Sequence, residues 1–156
     1  MISHTKDSFN NVPLAAKILS FSGLIPFLAC TYFEWSHFVD TFNWLEAHLT
    51  YSAVILSFLG GLHWAFAMTL TSLNTRAKNF RFIWGVIPSL IAWLSFGLHP
   101  LEANVLLVIG FLLQLWQDMV LHRSTQLPTW YLPLRIKLTA VVCLSLVSAI
   151  LSIFFS

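Results

Sequence analysis

The chain has 156 residues and a formal net charge of +2; 9% of its residues are charged and 58% are hydrophobic, where soluble domains carry about 25% charged residues. That balance excludes a water-soluble globular domain, and the thin scatter of cations excludes a nucleic-acid-binding face, which needs clustered Lys and Arg. Five apolar runs take up most of the chain, so the expected fold class is all-α: one integral membrane bundle of five transmembrane helices over residues 1–156, with no separate soluble domain.

The first span is expected from Leu14 to Phe33. Within it, Phe27-Leu28-Ala29-Cys30 loosely imitates a lipoprotein cleavage site, but Phe27 in place of Leu and Pro26 in the apolar segment argue for a retained span without lipidation of Cys30. Cys143, the only other cysteine, falls in the last span near the opposite membrane face. An internal disulfide, which needs Cα atoms about 4.4 to 6.8 Å apart, is not expected. Between Trp35 and Glu46 the apolar residues Trp35, Phe38 and Phe42 recur at helical spacing, the pattern of an amphipathic helix lying in the interface.

The second span, Leu49 to Leu70, carries Ala53, Ser57, Gly61 and Ala65 four residues apart, with Gly60 alongside. Small residues in such a stripe let another helix approach closely. The neighbour is expected within the chain, with a second copy as the alternative. His63 lies in the same span, and an ionisable residue at membrane depth suggests a site by default.

The third span, Phe82 to Leu98, contains Pro88, which frees a carbonyl near Trp84, followed by Ser89. A short link at His99 and Pro100 leads to the fourth, Leu101 to Leu121, which presents Gln114, Gln117 and Asp118 on one face. Trp130 and Tyr131 form an interfacial anchor before the fifth span, Ile136 to Phe155. Asp118 is expected to pair with Arg123, Arg135, Lys137 or His122.

The eight cations fall in alternate gaps: Lys6 and Lys17 at the first run, Arg76, Lys78 and Arg81 before the third, Arg123, Arg135 and Lys137 before the fifth. The positive-inside rule then places the N-terminus inside and the C-terminus outside. At about 1.5 Å per residue, His63, Gln114, Ser89, Ser20 and Cys143 lie at a common depth of roughly 10 Å. They form either a structural latch or a ligand-holding or proton-relaying cavity. His37, Asp40, His48, His99 and Glu102 gather on the other side, but their spacing matches no ligand motif. No metal site, cofactor or catalytic residue is expected.

The segment Tyr51, Ala53, Ile55-Leu56-Ser57-Phe58-Leu59-Gly60-Gly61, His63-Trp64 resembles the domain of unknown function family 3429, the transmembrane protein 69-like family. Leu24-Ile25-Pro26-Phe27, Pro88-Ser89-Leu90, Ala92-Trp93, Gly110-Phe111, Gln114, Asp118, Trp130-Tyr131, Leu134-Arg135 and Leu138-Thr139 extend the likeness over nearly the whole chain. The resemblance implies a bacterial inner membrane, or a mitochondrial one in a eukaryote, and supplies no catalytic residue.

The expected function is that of a non-enzymatic accessory or assembly partner of a larger membrane complex. The alternative is a small-molecule carrier or sensor with an inward-facing polar cavity around His63. The expected partners are the lipid bilayer and a membrane protein or second copy, with no nucleic acid.

Overall fold

The computed structural model describes residues 12–36 and 42–155. Six helices follow one another: α1 (Leu14–Ser22), α2 (Ile25–Ser36), α3 (Trp44–Thr69), α4 (Thr75–Ser95), α5 (Pro100–Ser124) and α6 (Tyr131–Phe155), with no strand among the described residues.

The first expected span is broken in two. Pro26 has no N–H to give to the carbonyl of Ser22, and its ring opposes that carbonyl in a continuous helix. The chain turns at Gly23, whose N–H bonds to Leu19 O at 3.0 Å. Helix α2 restarts at Ile25 with Pro26 in its first turn, where a missing N–H costs nothing.

The other helices begin earlier than their apolar runs. Asn43 caps α3 by accepting from Glu46 N at 3.0 Å, while its own amide donates to Glu46 Oε2 at 3.2 Å; the exchange satisfies an end donor in the manner of a capping box. Asn74 caps α4 likewise through Ala77 N at 2.9 Å, which brings Arg76, Lys78 and Arg81 into a helix rather than a loop. Helix α6 starts at Tyr131, five residues before the expected Ile136. Hydrophobicity marks only the part of a helix in hydrocarbon; the caps mark its ends.

The interfacial helix expected over 35–46 is not a separate element in its described parts. Trp35 belongs to the last turn of α2 and donates through Nε1 to Ser148 Oγ at 2.9 Å. Trp44 to Glu46 open α3, and Phe42 packs on Trp44 at 4.5 Å. Phe38, with the rest of 37–41, lies outside the described residues.

Helices α3 and α4 form the closest pair. A Cβ at Gly60 would lie 2.7 Å from Gly85 O, and one at Gly85 would run into the Trp64 ring, so only glycine allows this approach. Gly110 on α5 similarly receives Leu56 and Ile91. Phe27, Leu56, Leu107, Phe111 and Leu146 fill the middle of the bundle, while Leu19, Phe58, Trp93 and Leu144 point outward. An apolar exterior around an apolar core suits a bilayer rather than water.

Leu14–Ser36 taken together, Trp44–Thr69, Pro100–Ser124 and Tyr131–Phe155 are each long and apolar enough to cross a membrane. Helix α4 has 21 residues, about 32 Å at the α-helical rise. Its first two turns carry three cations, which lower its hydropathy. Both cysteines are free; Cys30 is buried within α2 and Cys143 half-buried in α6.

Candidate functional site

Two buried polar clusters stand at opposite ends of the bundle. The first centres on Asp118. Its Oδ2 accepts from Arg135 Nε at 2.8 Å, and its Oδ1 accepts from His63 Nε2 at 3.2 Å and from the Tyr131 hydroxyl at 3.3 Å. Arg81 donates from Nη1 to Gln117 Oε1 at 3.0 Å and makes a long contact of 3.4 Å with His63 Nδ1. A guanidinium only donates, so Nδ1 is the accepting nitrogen and Nε2 carries the proton given to Asp118.

Why these groups meet follows from helix geometry. His63 lies one turn from Gly60, where α3 touches α4, and Arg81 lies one turn before Gly85 on the facing side of α4. Gln114, Gln117 and Asp118 share the buried face of α5 at spacings of three and four residues. Gln114 closes the layer towards the core: its Oε1 accepts from Trp84 Nε1 at 3.0 Å and its Nε2 donates to Leu59 O at 3.1 Å.

The cluster is packed shut around the imidazole. His63, Gln114 and Asp118 are fully buried, and Arg81 and Gln117 are each 4% exposed. Isolated charges in such a medium are very costly, so each charged group here is held by an opposite charge or a hydrogen bond. The arrangement holds α3, α4, α5 and α6 at fixed register.

Ser89 does not join this network. It is half-buried on α4, and the hydrogen bonds that link the cluster run through Trp84 and Arg81 instead. Ser20 and Cys143, expected at the same depth, also stay outside those bonds. Arg81, read from the sequence as an inner-loop cation, and Tyr131, read as an interfacial anchor, are both members; Trp130 lies beside Tyr131 at 6.3 Å between rings.

The second cluster was not foreseen. His48 Nδ1 donates to Glu34 Oε1 at 2.8 Å, and His48 Nε2 meets Ser145 Oγ at 2.9 Å. Carboxylate, imidazole and hydroxyl in this order are the parts of an activated serine nucleophile. Yet Ser145 is 5% exposed, and its hydroxyl also meets Thr31 Oγ1 at 2.7 Å and Phe27 O at 3.3 Å. Wedged in this way, the hydroxyl has no face free for a substrate, and the cluster ties α2, α3 and α6. Sequence offers little signal for it, because Glu34, His48 and Ser145 are far apart in the chain and come from three helices.

His48 and His63 are 15 residues apart on α3, about 22 Å along the axis. Phe27, Leu56 and Phe111 fill the space between. The two clusters are therefore separate sites with no polar path joining them through this core.

The small residues of α3 divide between two faces. Ala53 and Gly60 are buried against other helices, Ser57 is half-buried, and Gly61 and Ala65 are exposed. A Cβ at Gly61 would meet nothing within 4 Å. Packing within the chain therefore uses Ala53, Leu56, Gly60, His63 and Ala67, and the stripe expected to seat a helix of the same chain turns outward at Gly61.

A model of the family described as "Protein of unknown function (DUF3429)" matches residues 12–151. Transmembrane protein 69 of Xenopus tropicalis is 31% identical over 156 residues, covering 93% of this chain and 57% of that protein. Transmembrane protein 69 of Mus musculus is 29% identical over 141 residues, covering 86% of this chain and 55% of that protein. The chain thus spans little more than half the length of these curated relatives. No solved structure matches.

Proposed function

The chain belongs to the DUF3429 family of proteins of unknown function, and on that premise we propose that it is a non-catalytic accessory or assembly partner of a larger complex in a bacterial inner membrane, or a mitochondrial one in a eukaryote. It crosses the bilayer five times, with α4 as the third span and the N-terminus inside. Pairing of α4 with α3 over the length of a bilayer supports this count, and the alternation of cations supports the orientation.

The observation that carries the reading is the outward face of α3. Ser57, Gly61, Ala65 and Thr69 follow one another at four-residue spacing, the last three exposed, with open space over Gly61. In lipid, helices associate through close packing of small residues rather than through a hydrophobic drive, so this face suits a transmembrane helix of a partner protein. The polar clusters support a non-catalytic role, since His63, Asp118, His48 and Ser145, the groups that could act in catalysis, are buried and engaged with neighbouring side chains.

Copurification in mild detergent tests it. Because Gly61 has no neighbour within 4 Å, Gly61→Leu is expected to leave the bundle folded and to release the partner. A chain that is extracted from native membranes as a lone monomer, before and after this change, overturns the proposal. A complex containing only further copies of the chain replaces the foreign partner with a self-association.

A further inference from the structure

A cavity of about 270 Å³ lies between α1, α3 and α6 and reaches in to Phe27 and Phe111. Its walls are almost entirely apolar, but two residues one turn apart on α6, Arg135 and Thr139, also line it. Each holds a buried polar atom with no hydrogen-bond partner, Nη2 of Arg135 and Oγ1 of Thr139. Arg135 is 6% and Thr139 2% exposed. Buried polar atoms without partners are rare in folded proteins and ask for a specific reason.

The charge balance points the same way. The Asp118 cluster holds two guanidinium groups, Arg81 and Arg135, against a single carboxylate, with His63 accepting at Nδ1. No other acid among the described residues can reach it. Glu102 is 16 residues from Asp118 along α5, about 24 Å, and Glu34 is held by His48 in the other cluster. A buried excess of positive charge is costly unless an anion offsets it.

We propose that this cavity binds one single-chain anionic amphiphile, its carboxylate or phosphate head held by Arg135 and Thr139 and its tail by the apolar walls. The size fits a single chain: the cavity falls just below the ~300–1,000 Å³ of pockets for drug-sized ligands. Its entrance fits a membrane source. Helix α1 buries none of its residues, and Leu19 and Phe58 at the cavity are largely exposed on the lipid-facing side, so a tail enters sideways from the bilayer. Trp130 and Tyr131 line the same cavity, and aromatic residues of this kind favour the headgroup level of a membrane. The same class of one-tailed anion is offered by a free fatty acid and by a lysophospholipid with a phosphate head.

The test uses the full chain in neutral maltoside micelles, with dodecanoate and dodecyl phosphate as probes and dodecyltrimethylammonium as the cationic control. Native mass spectrometry is expected to show one bound anionic probe per chain and none of the cation. Thr139→Val removes the hydroxyl and is expected to weaken probe binding about tenfold. Ala16→Phe, placed on the half-buried cavity side of α1, is expected to block it while leaving the unliganded melting temperature within a few degrees. Tighter binding of dodecyl phosphate assigns the site to a lysophospholipid source, and tighter binding of dodecanoate to a fatty acid. Equal binding of the cation, or anionic binding undiminished in both variants, overturns the proposal.

Discussion

At the scale of residues, Asp118 is the group on which most of the buried polar structure depends. It receives three donors from three different side chains, so its loss leaves Arg135 and Arg81 enclosed without a counter-charge. Asp118→Asn keeps the shape and removes the charge. Breaking a buried ion pair from one side costs about 3–5 kcal/mol, and thermal unfolding in mild detergent is expected to show a loss of that order. Gln114→Leu is milder: it gives up the bonds to Trp84 and Leu59 O, and interhelical hydrogen bonds in membranes are worth about 0.6–2 kcal/mol. A stability for Asp118→Asn equal to that of the parent chain would remove the carboxylate from its central place. Among these residues, sequence position set His63 and Gln114 at one depth, together with Ser89, Ser20 and Cys143, which stay outside the bonds, and put Gln117 and Asp118 on the same helix face as Gln114. It did not mark Arg81, because a cation seven residues into a capped helix looks in sequence like the edge of a loop.

At the scale of elements, adjacent glycines on α3 do opposite jobs. Gly60 faces the Gly85 carbonyl, a backbone atom that cannot yield without moving α4, whereas Gly61 faces open space. Gly60→Leu is therefore expected to destabilise the bundle by at least the ~1–3 kcal/mol of overpacking, and Gly61→Leu to change stability little. Paired thermal melts of the two variants check this. If both lower the melting temperature alike, then the outward face of α3 is in fact packed within the chain. The stripe of small residues was visible in sequence at four-residue spacing. Which of its edges turns inward was not, since a helical wheel has no origin until a neighbouring helix supplies one. The break between α1 and α2 is the other element-level departure, and Pro26 is its cause.

At the scale of the whole molecule, the number of crossings turns on α4. Its flanks offer exposed positions for a direct measurement: Ser72 precedes the helix and Gly97 follows it. In intact cells, a membrane-impermeant thiol reagent is expected to label Gly97→Cys, and to label Ser72→Cys only after permeabilisation. Labelling of both from the same side would leave α4 uncrossed and the bundle with four spans.

By itself the sequence determined the all-helical class, the membrane as solvent and the approximate order of helices, because these depend on hydrophobicity summed over many residues. It also brought His63 to the depth of Gln114, since rise per residue converts chain position into height. Only the tertiary structure decided the rest. Pairing Arg135 rather than Lys137 with Asp118, joining Glu34 to His48 and Ser145, enclosing His63 and leaving a cavity beside Arg135 all depend on how each helix is rotated about its axis. That rotation is set by close contacts such as Gly60 against Gly85, which hydrophobicity alone does not encode.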